Sequence, residues 1–258
     1  MPPLPPRVLF VKEAYRLTPN MMRVTFQGPE LADLPVGCDG GHCKILLPEP
    51  WQSPQVFVSQ LQMGWRPVMR TYTIRAFRPD VLELDIDFVA HAAGPASNWS
   101  IQATPGDFCG FAGPGPVKMT RFFADWYLVA ADPSALSLAA VTLESMPRDA
   151  RGVAVLEVPG EADRQEIDAP PGVDVHWLYT PDQDRPSTAQ EELIRSLDWP
   201  EGVVQACVAG ESSVIVALRQ FLFQEKGLTR ADAYISGYWK IGMREEQHAA
   251  FKRAQMAG

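Results

Sequence analysis

The chain has 258 residues, enough for one large domain or two small ones. With 46% hydrophobic and 21% charged residues it has ample material for a core, which excludes a largely disordered chain. A formal charge of −8 and a pI near 5.1 exclude a general nucleic-acid or anionic-membrane binder, although a local basic site survives because charges further apart than about 8 Å are largely screened.

Residues 1–6 are proline-rich and lack the basic start and apolar run of a signal peptide, so a cytoplasmic location is expected. From residue 7 to about 120 the sequence reads as short alternating strands at 8–16, 23–28, 42–47, 68–76, 81–89 and 107–111. Turn residues separate them, as at Thr18-Pro19-Asn20 and Arg78-Pro79-Asp80. Six short strands with little helix between them predict a small antiparallel barrel, interrupted by one short helix at about 96–103.

After about residue 121 the rhythm changes. Apolar strands at 126–131, 153–158, 173–179, 203–209 and 233–235 accompany helices at 134–146, 188–197 and 212–224. A last helix is expected at about 244–254. This pattern predicts a mostly parallel, doubly wound sheet. The apolar stretch 126–143 is broken by Asp132-Pro133 and is too polar to span a bilayer, which takes about 20 apolar residues. The expected organisation is therefore two-domain: an N-terminal six-stranded antiparallel β-barrel over 1–120, then a C-terminal α/β nucleotide-binding-like domain over 121–258. Such a plan is common in electron transfer, where the first half holds a flavin and the second admits a nicotinamide, but a fold by itself does not fix a function.

Cys38, Cys43, Cys109 and Cys207 form no CxxC pair, and no His/Cys cluster has zinc spacing. They read as small residues in or near strands, and no metal site is expected.

The chemistry is concentrated in two segments. In Arg70-Thr71-Tyr72-Thr73-Ile74-Arg75, strand alternation puts Arg70, Tyr72 and Ile74 on one face and Thr71, Thr73 and Arg75 on the other. A flavin dinucleotide needs cations or amides for its pyrophosphate, an aromatic or apolar wall for its ring, and a donor at the ring edge. Arg70 offers a rigid bidentate fork, Tyr72 a ring wall and Thr73 a hydroxyl or amide. An ordinary amphipathic strand is the competing reading. In the second segment, 87–99, Gly94 permits close backbone approach and Pro95 suits the first turn of a helix. The amides of that helix N-terminus form a seat for the pyrophosphate, with Ser97 and His91 adding hydrogen bonds.

The arginine–aromatic–threonine strand, the following Asp87-Phe88-Val89-Ala90-His91 and the Gly94-Pro95-Ala96-Ser97-Asn98-Trp99 turn resemble the siderophore-interacting proteins. These are flavin-dependent ferric-siderophore reductases related to ferredoxin–NADP reductases. The resemblance continues through His42-Cys43-Lys44-Ile45-Leu46-Leu47-Pro48, Pro105-Gly106-Asp107, Gly113-Pro114-Gly115, Ala209-Gly210-Glu211-Ser212-Ser213 and Ser236-Gly237-Tyr238-Trp239-Lys240-Ile241-Gly242. It implies a ferredoxin reductase-like fold and bound FAD. By position, it assigns Arg70, Tyr72, Thr73, Arg75, Asp87, Val89, His91, Pro95, Ala96, Ser97 and Trp99 to FAD. It further implies a basic set for an anionic ferric siderophore, matched by Lys44 first, then Lys240, Lys118 and Arg244. No catalytic nucleophile is expected, because the reaction is electron transfer to Fe(III).

The second half departs from the family pattern. The turn after strand 126–131 reads Ala130-Ala131-Asp132-Pro133-Ser134 where relatives usually carry a Gly-Asp-Glu-Thr-like turn, and no GxGxxG is present. Asp132, Gly210, Glu211 and Ser212 stand at carboxyl ends of strands, where open α/β sheets bind ligands, and are the nicotinamide candidates. Asp132 serves equally well as a helix cap. NADH, NADPH and ferredoxin all remain open as electron donor, and a monomer is expected. Two other readings compete: a general NAD(P)H:flavin or ferredoxin-type reductase with no need for Lys44 and Lys240, and a binding module without turnover.

Overall fold

The computed structural model describes residues 7–91, 94–182, 184–245, 247, 248 and 250. The chain divides into two compact units, Met1–Lys118 and Met119–Gly258.

The first unit contains β1 (Arg7–Thr18), β2 (Met21–Gln27), β3 (His42–Leu46), α1 (Pro54–Gln62), β4 (Met69–Arg78), β5 (Glu83–Val89), α2 (Pro95–Gln102) and β6 (Phe108–Ala112). The strands close into an antiparallel barrel in the order β1-β2-β5-β4-β3-β6, with β6 pairing back onto β1. Alternation fills the inside: Val24 and Phe26 from β2, Cys43 and Ile45 from β3, and Ile86 and Phe88 from β5 are all buried in one core. Register shifts at Val11/Glu13, Arg16/Thr18 and Ile74/Ala76 let long strands bend enough to close the cylinder.

One expectation fails here. The β3–β4 connection is not a plain loop but carries α1. Ser53 caps it by accepting from the Val56 amide at 3.3 Å, and Pro54 occupies the first turn. A nine-residue helix is marginal in isolation. Tertiary packing holds it: Phe57 is fully buried, edge-on to Phe108 at 5.6 Å and to Trp65 at 5.9 Å. That burial contributes about 2–3 kcal/mol.

The second unit contains β7 (Trp126–Ala131), α3 (Leu136–Ser145), β8 (Arg151–Val158), β9 (Gly172–Tyr179), α4 (Ala189–Ser196), β10 (Val204–Glu211), α5 (Ser212–Gln220) and β11 (Ala233–Trp239). The five strands form one parallel sheet in the order β11-β10-β7-β8-β9. Val129 and Ala131 of β7 pack with Leu136 and Leu143 of α3, while Leu128 and Ala130 pack with Ile194 of α4 and Leu218 of α5. Both faces are thus covered, which is why the strands read as apolar runs.

β11 runs four residues past the expected end at 235, and the helix expected over 212–224 ends at Gln220, continuing as a π-helical turn over Phe221–Glu225. The helix expected over 244–254 lies largely outside the described residues. No helix among the described residues is long and apolar enough to cross a membrane.

Candidate functional site

In the first unit, the register of β3 against β4 sets His42 opposite Thr73, Cys43 opposite Tyr72 and Lys44 opposite Thr71. Cys43 enters the barrel, so Tyr72 lies on the inner face. Its ring packs 4.3 Å from Phe88. Lys44 faces outward and is hydrogen-bonded to the Thr71 hydroxyl. Thr73 is buried and Arg75 half-buried, while the half-buried Arg70 donates to the Met69 carbonyl at 2.9 Å.

On β5, Asp87 accepts a bidentate pair from Arg23 at 2.7 and 2.8 Å, and Val89 pairs with Met21. The Asp87 carboxylate is therefore engaged in a cross-strand clamp. Beyond β5, the Ser97 hydroxyl accepts from the His91 amide and donates to the His91 carbonyl, both at 2.8 Å. These bonds close the loop that leads into α2. A Cβ at Gly94 would come within 2.5 Å of His91 Cε1, so any larger residue there would push the exposed His91 ring aside. Partial loss of solvent holds the His91 imidazole below its ordinary value.

Pro95 occupies the first turn of α2, Gly94 offers no side-chain cap, and Ala96 is buried. The first-turn amides are therefore left for a ligand or water. Trp99 turns away from them, into the barrel core. It lies parallel to Phe26, with the ring centroids 6.1 Å apart and the planes at 8°.

In the second unit, β7 and β10 are neighbours whose connections leave in opposite directions, so the sheet has its switch point between them. Asp132 and Glu211 stand at these two strand ends. Asp132 Oδ1 accepts from the Ser134 amide at 2.8 Å, which is the cap read from the sequence. Glu211 caps α5 through the Ser213 and Val214 amides and also accepts from the Ile241 amide at 3.2 Å. Gly210 precedes it in β10. Ser212 Oγ lies 2.8 Å from His248 Nε2, and both residues are buried. Lys240 is half-buried and its carbonyl accepts from the Met243 amide, while the exposed Arg244 donates its amide to Gln247 Oε1 at 2.9 Å.

Asp132, Glu157, Glu211, Gln190, Arg185 and Trp239 line a hollow at this edge. Burial pushes the Asp132 carboxyl up, against the hydrogen bonds from Ser134 and Trp239 that pull it down. Burial also raises Glu157, aided by the Asp132 charge and opposed by hydrogen bonds from Ser187 and Thr180. Glu157 Oε2 has no hydrogen-bond partner.

Comparison with known proteins decides the family. Residues 10–118 match the siderophore-interacting FAD-binding domain, and residues 124–242 match the siderophore-interacting protein family. The ferric vibriobactin reductase ViuB of Vibrio cholerae is 35% identical over 94% of this chain and 92% of its own. The chain is a siderophore-interacting protein.

Its fold agrees with those of solved members. SipS from Aeromonas hydrophila superposes with a TM-score of 0.83 at 35% identity, covering 98% of both chains. A siderophore utilization protein from T. fusca gives 0.80 at 32% identity, covering 94% of this chain and 96% of its own.

In this siderophore-interacting protein, two groups of interest escaped the sequence reading. Glu157 is the lone charge in the buried run Val153–Val158 of β8, and such a charge near the carboxyl end of a parallel strand is a usable signal. His42, between Cys38 and Cys43, read only as a metal candidate that the cysteine spacing argues against, and as part of a motif. Its signal is the alternation with the inward-facing Cys43 and Ile45, which places it beside Lys44 on the outer face. The four cysteines are buried and free, and burial pushes the thiols of Cys38 and Cys207 up to about 11 and about 12. Among the described residues, no group of His, Cys, Asp and Glu is arranged to hold a metal ion.

Proposed function

We propose that this chain reduces ferric siderophores in the cytoplasm, using FAD held by residues 1–120 and electrons received through residues 121–258. The observation that carries this reading is the register of β3 on β4, which sets the outward-facing Lys44 beside the strand that bears Arg70, Tyr72 and Thr73. In a chain of net charge −8, a cation on the outer face of a flavin-type barrel gives an anionic chelate a place to dock.

The donor set fits FAD. Arg70 and the uncapped amides of α2 suit its pyrophosphate, Tyr72 its ring and Thr73 the ring edge. When bound, FAD supplies single electrons to Fe(III). The chain's own residues bind and orient: Arg70 and α2 would fix the dinucleotide, and Lys44 would draw in the chelate, with Lys240, Lys118 and Arg244 as further members of the basic set. The hard oxygen donors of a siderophore hold Fe(II) far less tightly than Fe(III), so no acid–base residue has to drive release. Asp132, Gly210, Glu211 and Ser212 mark the sheet edge at which NADH or NADPH would dock, with ferredoxin as the alternative donor. The protein acts as a monomer in this reading.

The test is anaerobic. The FAD-loaded protein is reduced and mixed with a ferric siderophore in the presence of an Fe(II) trap. Rapid flavin reoxidation with trapped Fe(II), slowed about tenfold or more by Lys44→Gln together with Lys240→Gln, supports the proposal. FAD binding with no response to ferric chelates would instead indicate a general flavin reductase. Absence of FAD binding would overturn the flavin assignments of Arg70, Tyr72 and Ser97 together.

A further inference from the structure

The carboxyl ends of all five strands of the second sheet meet at one hollow. Glu211 of β10, Asp132 beyond β7, Glu157 of β8, Thr180 beyond β9 and Trp239 of β11 all line it. Most polar groups there are already engaged. Asp132 accepts from the Ser134 amide at 2.8 Å and from Trp239 Nε1 at 2.7 Å. Glu211 accepts from the Ser213 and Val214 amides and from the Ile241 amide at 3.2 Å. Glu157 is the exception. It shares a strand face with Val153 and Val155, which pack with Ile194 of α4 and Leu218 of α5. It is 8% exposed, and among the described residues that line the hollow its Oε2 is the one buried side-chain atom without a hydrogen-bond partner.

An oxygen in that position calls for a donor. Ser187 and Thr180 hydrogen-bond the Glu157 carboxyl and favour its charged form, and a further donor on Oε2 acts in the same direction. A metal ion does not suit the place, because the Asp132 and Glu211 oxygens are spent on amides and on Trp239. A phosphate suits it no better. It brings acceptors to an acceptor, and the Ser134, Ser213 and Val214 amides that could have met it are taken. Arg185, the one cation among the described lining residues, is exposed and stands 3.7 Å from the Asp182 carboxylate. A neutral hydroxyl fits. β7 and α3 are the first strand and helix of this sheet and β8 is the next strand, so Glu157 stands where dinucleotide-binding sheets present an acid to ribose hydroxyls.

We propose that Glu157 Oε2 accepts a hydrogen bond from the adenosine ribose of the nicotinamide dinucleotide, so that this chain takes its electrons from NADH in preference to NADPH. This rests on the reading that a nicotinamide dinucleotide docks at this sheet edge. The two dinucleotides differ only at the 2′ position of that ribose. NADH presents a hydroxyl there, a donor for the open oxygen. NADPH presents a phosphate, which carries between one and two negative charges at neutral pH and has to approach Glu157, Asp132 and Glu211. Loss of a charge-assisted hydrogen bond and like-charge repulsion then work in the same direction, for a preference of about tenfold or more.

The test uses ADP-ribose and its 2′-phosphate, redox-inactive portions of NADH and NADPH that keep the ribose in question. Their binding to the FAD-loaded protein is measured by titration calorimetry, and flavin reduction by NADH and by NADPH is followed anaerobically alongside. ADP-ribose should bind about tenfold or more tightly than the phosphorylated compound, and NADH should saturate flavin reduction at correspondingly lower concentration. Glu157→Gln keeps the size and removes the charge, so it should weaken ADP-ribose, strengthen the 2′-phosphate and narrow the gap. Glu157→Asp keeps the charge but withdraws the oxygen, so it should weaken ADP-ribose without rescuing the phosphorylated compound. An unchanged flavin spectrum and unfolding midpoint show that each variant is folded. Equal binding of the two compounds, a preference that both Glu157 variants retain, or tighter binding of the 2′-phosphate that is lost in Arg185→Ala would overturn the Glu157 assignment and leave dinucleotide docking intact. Binding of neither compound, with the flavin indifferent to both dinucleotides, would overturn docking at this edge and the assignment with it. Reduction of a ferric siderophore by dithionite-reduced protein reads the reductase activity separately in every case.

Discussion

Trp239 Nε1 donates a 2.7 Å hydrogen bond to Asp132 Oδ2, joining the carboxyl ends of β11 and β7 across the intervening β10. The bond crosses the switch point of the sheet and is one of the interactions that pull the buried Asp132 carboxyl down against its desolvation. Trp239→Phe keeps the ring but removes the donor, and leaving a buried acceptor short of a partner should cost about 1–3 kcal/mol. Because the folded-state value of Asp132 is raised, the folded protein holds this proton more tightly than the unfolded chain does. The group's contribution to stability therefore falls as pH rises through the interval between the unfolded and folded values, and the deficit persists above it. Without the Trp239 bond that interval widens. Urea unfolding should show a larger loss for Trp239→Phe at pH 7.5 than at pH 4.5, and an equal loss at both would refute the account.

Arg23 and Asp87 form a bidentate pair in which the Asp87 side chain is 2% exposed. Removing one partner leaves the other buried and uncompensated. Asp87→Ala and Arg23→Ala should each destabilise the protein by about 3 kcal/mol, and the double variant by clearly less than the sum. A double-mutant cycle by chemical denaturation measures the coupling. If Asp87 also touches FAD, its variant alone should weaken flavin affinity beyond what the lost stability explains.

The Ser97 hydroxyl holds both the amide and the carbonyl of His91. Ser97→Ala removes both bonds at the point where the chain enters α2. A loss of about 1–2 kcal/mol in stability is expected. Flavin fluorescence titration should show weaker FAD binding, because the amides meant for the pyrophosphate lose their fixed position. Unchanged affinity would separate this loop from the cofactor.

With all four cysteines buried and the thiols of Cys38 and Cys207 raised by that burial, a thiol reagent at pH 8 should find almost nothing to react with in the native protein. Four equivalents should appear only on unfolding. Stoichiometric labelling of the native state would contradict the packing of Cys38, Cys43 and Cys109 in the barrel core.

The strands and most helices were legible because their patterns are simple. The alternation around Cys43 and Ile45 marks β3, and the unbroken apolar run Trp126–Ala131 marks a strand covered on both faces. α1 was missed because its stability comes from Phe57 docking on Phe108 and Trp65, contacts that no local pattern announces. The segments that carry the candidate site were legible as motifs, but the partners of their residues were not. That Asp87 pairs with Arg23, that Ser97 closes on His91, and that Trp99 turns into the core beside Phe26 all depend on strand register and barrel closure, which the sequence states only indirectly. The capping role of Asp132 was readable because it is local: the carboxylate bonds an amide two residues on.

The barrel returns on itself through β6 and β1, whereas the second sheet ends in β11 on one side and β9 on the other. A strand bonded on one side only can peel away singly. A strand in a closed ring must break two ladders to leave. Amide hydrogen exchange should therefore proceed strand by strand in the second unit, starting from β9 and β11, and in a single concerted opening in the first. Arg70, Tyr72 and Thr73 belong to β4, inside the ring, and Trp239 to a strand that can fray. The chain thus keeps its flavin-type strand in a ring that opens as one, and the far end of its acidic hollow on an edge strand.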